Sequence, residues 1–267
     1  MRGYRKFHGL SRAAFGKAIP RADLLVYPQL SELTEELETL LSDGGVGLLT
    51  GEIGMGKTTA VRHFLGTVDE NAYQVAYQGS SRHSSAVLEG LVEHLGPAPA
   101  RHRSTLLRQL SQCVARTYAE QRRKTLLILD DSQLLEDSLL EDLRLVTNFG
   151  MDAEEPLAVL LIGHPSLRQR LHRPVHQALL DRVRMQYRLE GLSQEEACDY
   201  IDCHLRAAGA PPALFTPEAK QAIFEHAQGI PRRINALALD LLKESARRQQ
   251  TTIDADLVAL VAARKQN

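Results

Sequence analysis

The stretch Gly51-Glu52-Ile53-Gly54-Met55-Gly56-Lys57-Thr58-Thr59 holds the residue types that grip phosphate. Its spacing is G-x-x-x-x-G-K-[ST]. Glycines let the backbone curl with its N–H groups turned inward, and a helix opening at the lysine adds its positive end. Lys57 then reaches the β- and γ-phosphates of a nucleotide, and the Thr58 hydroxyl is placed on Mg2+. A second group of suitable type lies downstream, in Leu126-Leu127-Ile128-Leu129-Asp130-Asp131. A buried apolar strand that ends in carboxylates delivers negative charge to the metal beside such a loop. Asp130 then holds Mg2+ through water, and Asp131 polarises the attacking water as general base. Two aspartates after a strand also fit a solvated turn or a helix cap. The pairing with the phosphate loop favours the catalytic reading. The implied chemistry is Mg2+-assisted hydrolysis of a nucleoside triphosphate.

That chemistry needs a strand before the loop, a helix after it and a second strand alongside. The hydrophobic pattern supplies them. Runs rich in apolar and β-forming residues at 46–50, 73–78, 125–130 and 157–162 read as strands, with 185–189 a candidate fifth. Several are apolar throughout, which suggests a parallel sheet covered on both faces. Leu30, Leu33, Leu37, Leu40 and Leu41 share one helical face before the first strand, and Leu106, Leu107, Leu110, Val114 and Tyr118 do so before the third. The alternation predicts an α/β fold. After about residue 190 the pattern turns helical only. Ser193-Gln194-Glu195-Glu196 is a capping box, Thr216-Pro217 opens a second helix, Pro231 a third and Asp254 a fourth. The expected organisation is an α/β core over 1–190, with an amino-terminal extension, and a helical lid over 191–267.

The composition bounds the rest. A chain of 267 residues with 43% hydrophobic and 24% charged residues folds rather than staying disordered. Lys+Arg 32 against Asp+Glu 33 leaves a formal charge of −1, which excludes a general basic coat but not a local basic groove. The three cysteines, Cys113, Cys198 and Cys203, suit a reducing compartment rather than a disulfide framework. Cys198 and Cys203 point apart on one helix and read as packing residues. No apolar run approaches the roughly 20 residues of a membrane span, and the basic, glycine-broken start has no signal-peptide core. A cytoplasmic protein without a membrane partner is expected.

These motifs resemble those of the AAA+ ATPases, and within them the branch shared by ExeA-like ATPases and transposition regulators such as TnsC and TniB. The resemblance runs through His8-Gly-Leu-Ser-Arg-Ala-Ala-Phe15-Gly-Lys17, the phosphate loop and Asp130-Asp131-Ser132-Gln133. It continues in Thr147-Asn148-Phe149, Leu161-Ile-Gly163-His164-Pro165 and Leu192-Ser193-Gln-Glu-Glu196, and is most specific in Gly229-Ile-Pro231-Arg232-Arg233-Ile-Asn235. It implies an AAA+ P-loop core followed by a small all-helical lid, with ATP and Mg2+ as cofactors. His164 falls where the family keeps a sensor of the γ-phosphate. The same histidine could instead cap the helix after Pro165, and Asn148 is the alternative sensor. Arg232 aligns with the sensor arginine of the lid. Family members work as rings or filaments in which a neighbour supplies an arginine finger, and Arg182 is placed for that role, with Arg184 second. The family's common Asp-Glu is Asp130-Asp131 here. The side chain is one methylene shorter, which implies slow hydrolysis and long-lived ATP-bound assemblies.

For the job of the ATPase, the resemblance implies a DNA-transposition regulator. Such a protein oligomerises on duplex DNA with ATP, marks a target and recruits or activates a transposase, together with target-selection proteins. A lone ATPase of minimal length, without membrane span or cell-wall-binding domain, favours this reading. The alternative is a cytosolic ExeA-like ATPase energising secretion or envelope assembly. Candidate DNA contacts are Arg82 and His83 after the second strand, and Arg101 and Arg103 before the next helix. Plain solvated loops would look the same in sequence.

Overall fold

The computed structural model describes residues 3–16, 20–79, 83–147 and 155–266. In chain order the helices and strands are α1 (Gly3–Phe7), α2 (Pro28–Asp43), β1 (Gly45–Thr50), α3 (Lys57–Leu65), β2 (Tyr73–Gln78), α4 (Ser84–His94) and α5 (Arg103–Gln121). There follow β3 (Lys124–Leu129), α6 (Asp137–Val146), β4 (Leu157–Gly163), α7 (Pro165–Leu171), α8 (Gln177–Leu180) and β5 (Val183–Arg188). The chain ends in α9 (Gln194–Ala207), α10 (Pro217–Ala227), α11 (Pro231–Arg248) and α12 (Ala255–Gln266). Two compact units result. One comprises Gln29–Ile53 and Lys57–Leu189. The other comprises Met1–Pro28, Gly54–Gly56 and Glu190–Asn267.

The first unit is a five-stranded sheet in the order β2-β3-β4-β1-β5, parallel throughout. The central strands β1 and β4 are buried at every position, because apolar side chains face helices on both sides. The edge strands β2 and β5 are mixed. The five expected strands are all present. β5 begins two residues earlier than expected, since the Arg182 carbonyl already accepts from Val46 N (3.1 Å) at the start of the ladder. The leucine face of α2 is buried as its spacing requires.

Register decides where the motifs meet. Thr50 lies opposite Gly163, and Leu129 opposite Leu161. In a parallel sheet all strands end on the same side, so Gly51, Asp130 and His164 emerge together at the carboxyl edge, where open α/β sheets bind ligands.

The second unit is helical. Ser193 Oγ accepts from Glu196 N (3.2 Å), while Ser193 N donates to Glu196 Oε2 (2.8 Å), closing the capping box that opens α9. A cap of this kind stabilises by about 1 kcal/mol. Thr216 caps α10 through Ala219 N at 3.1 Å.

The amino-terminal segment groups with these helices rather than with the sheet, where the sequence had placed it. His8 Nε2 lies 2.9 Å from Ser245 Oγ and 3.1 Å from the Leu242 carbonyl of α11. Phe15 stacks on His204 with ring centroids 5.3 Å apart and meets Phe215 edge-on. The His8-to-Phe15 part of the motif is therefore packing for the helical unit, and Lys17 lies outside the described residues. The three thiols are free, and Cys203 Sγ donates to the Asp23 carbonyl at 3.1 Å. Among the described residues no helix is long and apolar enough to cross a membrane.

Candidate nucleotide and metal site

The loop after β1 is built as its sequence requires. Gly54 and Gly56 both have φ +93°, a region that L side chains rarely adopt. Lys57 opens α3 and turns its ammonium back across the loop, donating to the carbonyls of Gly51 (2.7 Å) and Glu52 (3.0 Å). Thr58, one residue on, donates its hydroxyl to Asp130 Oδ2 at 2.8 Å. The two motifs are thus in direct contact across neighbouring elements. Thr59 is half-buried in the first turn of α3.

Asp130 is held from three sides. Oδ2 accepts from Thr58 and from the Tyr77 phenol (3.1 Å), and Oδ1 accepts from Asp131 N (2.8 Å). The phenol is pushed up to about 12, first by burial and then by the Asp130 charge it faces. Asp131 stands exposed in the left-handed region at φ +52°. Aspartate tolerates that region better than most residues, and such outliers gather at functional sites.

A side-chain relay joins Asp131 to the end of β4. Gln133 Nε2 donates to Asp131 Oδ1 (3.2 Å), and its Oε1 accepts from His164 N (3.0 Å). Gly163 makes room for it: a Cβ there would stand 2.7 Å from Gln133 Oε1. His164 caps α7, its Nδ1 accepting from Ser166 N (3.3 Å). Nε2 then carries the proton and donates to Glu52 Oε2 at 3.0 Å. The histidine so links the end of β4 to the phosphate loop through the carboxylate of Glu52.

Thr58 and Asp130 offer hard oxygen donors, and among the described residues no group of three or more His, Cys, Asp or Glu could form a metal cage. That donor set fits Mg2+, which is commonly held by one or two protein oxygens together with substrate phosphate.

The other expected residues fall as follows. Ile53 is exposed and Met55 half-buried. Arg232 is exposed at the start of α11, and its backbone N donates to the Gly54 carbonyl (3.2 Å), both residues belonging to the helical unit. Arg182 is half-buried before β5. Arg184 pairs with Glu155 and donates to the Asp43 carbonyl. His83 is exposed at the amino-terminal end of α4, and Arg101 is exposed beyond its carboxyl end. Arg103 is paired with Asp142 (2.5 Å), whose side chain is only 11% exposed. Arg82 and Asn148 lie outside the described residues. Sequence reasoning missed the roles of Tyr77 and Gln133. Gln133 sat in the quoted motif without a function, and Tyr77 looked like any aromatic of a strand.

Known proteins carry the same plan. Residues 39–171 match the family described as AAA domain. Over 240 residues the chain is 33% identical to the general secretion pathway protein A of Aeromonas hydrophila, covering 88% of this chain and 43% of that protein. The chain therefore spans less than half of the curated relative it matches. Among solved structures, the ORC2 protein of Aeropyrum pernix in its ADPNP–ADP complexes superposes with a TM-score of 0.71 at 17% identity, covering 93% of this chain and 70% of that one. The Aeropyrum pernix ORC1 protein in complex with DNA gives 0.66 at 18% identity, with 92% and 68% covered. The Thermotoga maritima RuvB branch-migration motor gives 0.55 at 15%, with 87% and 67% covered. At these identities the structural likeness speaks for the fold.

Proposed function

We propose that this chain, which is an AAA+ ATPase, uses ATP binding to assemble on duplex DNA and there regulates transposition, marking a target and recruiting or activating a transposase. The ATPase chemistry is carried by one observation: the Thr58 hydroxyl and the Asp130 carboxylate stand 2.8 Å apart beside the phosphate loop. Lys57 exchanges its bonds to the Gly51 and Glu52 carbonyls for phosphate oxygens. Thr58 and Asp130 would hold Mg2+, which would supply positive charge to the phosphates. Asp131 orients the attacking water and takes its proton. His164, tied to Glu52 and through Gln133 to Asp131, feels the γ-phosphate. Arg232 takes the sensor role that the resemblance implies, and Arg182 of one copy serves the site of the next.

The DNA output rests on the resemblance to the transposition regulators, strongest in Gly229–Asn235. His83 and Arg101 are exposed and suit phosphate contacts, and Arg82 and Arg103 complete the candidate set. With a formal net charge of −1, one subunit binds weakly, and many in register supply the affinity. The second reading, an ATPase serving secretion or envelope assembly through a protein partner, is favoured by the 33% identity to the general secretion pathway protein A.

Duplex-DNA binding with ATP, ADP and a non-hydrolysable analogue, across a salt series and with electron microscopy of the same samples, separates the two. ATP-dependent, salt-sensitive binding with rings or filaments on DNA supports the first. No binding in any nucleotide state, with ATPase intact, transfers the conclusion to the protein partner.

A further inference from the structure

Asp130 is expected to be anchored by its own motif, through Thr58 and the following peptide N–H. The third anchor comes from elsewhere. Tyr77 belongs to β2, an edge strand, and lies opposite Ile128 in register. Its phenol reaches past that partner to Asp130 Oδ2, at 3.1 Å. The same oxygen takes the Thr58 hydroxyl, and Oδ1 is held by Asp131 N. A carboxylate bonded on both oxygens from three directions cannot turn about its last torsion without breaking one of them. The Tyr77 bond is the member of this set contributed by neither the phosphate loop and its helix nor the Asp130-Asp131 turn.

We infer that Tyr77 is a positioning residue for the metal site, presenting the Asp130 carboxylate in the orientation that holds Mg2+ beside Thr58. Partners of this kind that orient a metal-binding carboxylate are worth about 10–100-fold in metal affinity. The inference rests on Asp130 being the metal-holding group. Tyr77 does not itself touch nucleotide. Its contribution shows in the metal requirement and leaves metal-free nucleotide binding alone.

The test uses the full chain, a fluorescent ATP analogue and Mg2+ titration, with Tyr77→Phe and Asp130→Asn side by side. Tyr77→Phe keeps the ring and removes only the hydroxyl. The expected result is a half-saturating Mg2+ concentration raised about tenfold, with nucleotide affinity in chelator and the thermal midpoint unchanged. An unchanged Mg2+ requirement in Tyr77→Phe, with Asp130→Asn strongly shifted, overturns the role of Tyr77. Equal loss of affinity with and without Mg2+ marks a merely structural side chain and overturns it as well. If Asp130→Asn leaves the Mg2+ requirement untouched, the metal assignment of Asp130 itself falls.

Discussion

Thr58 Oγ1 donates to Asp130 Oδ2 at 2.8 Å across a sequence separation of 72 residues, joining the first turn of α3 to the end of β3. This contact brings the loop and the carboxylate strand together, as the proposed site requires. Thr58→Ala removes the hydroxyl while leaving the glycines and Lys57 in place. Hydrolysis is expected to fall on the order of 10²-fold, with nucleotide binding in chelator preserved. Phosphate release and equilibrium binding on the same preparation check it.

Asp131→Glu restores the longer side chain common in the family. A faster rate of phosphate release is expected, and an unchanged or slower one removes the idea that the shorter acid limits turnover. The gain carries a cost, because residue 131 sits at φ +52°. Glutamate is less at ease there, and a loss of about 1 kcal/mol in unfolding free energy should accompany the rate. Asp131→Asn should bind ATP and fail to hydrolyse it.

Gly163→Ala tests the relay from Asp131 to His164. The new Cβ would stand 2.7 Å from Gln133 Oε1 and 3.0 Å from Leu167 Cδ2. Overpacking of this kind costs about 1–3 kcal/mol. The added methyl must also displace the Gln133 amide from His164 N. Both a lower melting temperature and slower hydrolysis are expected. A stable variant of unchanged rate would show that the relay carries nothing.

Arg103 and Arg101 should separate in any DNA-binding series. Arg103, itself half-exposed, holds the largely buried Asp142 carboxylate, and leaving that carboxylate without its partner, screened on one side by solvent, costs about 1 kcal/mol. Arg103→Ala should therefore lower thermal stability before any DNA effect is read. Arg101 is exposed, so Arg101→Ala should leave the melting temperature unchanged and weaken ATP-dependent DNA binding with a shallower salt slope. Equal melting temperatures for the two variants would contradict the structural role of Arg103.

His204 predicts how the helical unit answers acid. It is buried between Phe15 and Tyr200, and burial, aided by the Arg12 charge, lowers it from 6.5 to about 4. The folded state thus binds fewer protons than the unfolded one between these values. The stability it contributes is complete above pH 6.5 and is lost as the pH falls toward 4, by about 3 kcal/mol over the window. His8 is lowered by burial too and adds in the same direction. Denaturant unfolding across pH 4–7 checks the sign, and His204→Gln should flatten the acid limb.

Much of this molecule is legible in order along the chain. The phosphate loop, the apolar strand ending in Asp130-Asp131, the capping box at Ser193 and the leucine face of α2 are local patterns. Each depends on residues within a few positions of one another, so backbone geometry and the helix or strand period suffice to read them. The same holds for the change from alternating strands and helices to helices alone near residue 190.

The remaining features depend on which elements become neighbours. Periodicity says that β2 has a buried face, not that it pairs with β3 and aims Tyr77 at Asp130. It marks Gln133 as polar, not as the bridge between Asp131 and His164. It could not tell that His8 and Phe15 pack against α11 and His204, or that Arg103 is engaged by Asp142. Sheet order and long-range packing are chosen by the whole chain burying its apolar surface at once. The sequence by itself therefore determined the reactive groups and their local scaffolds, and only the tertiary structure decided which side chains hold those groups in place.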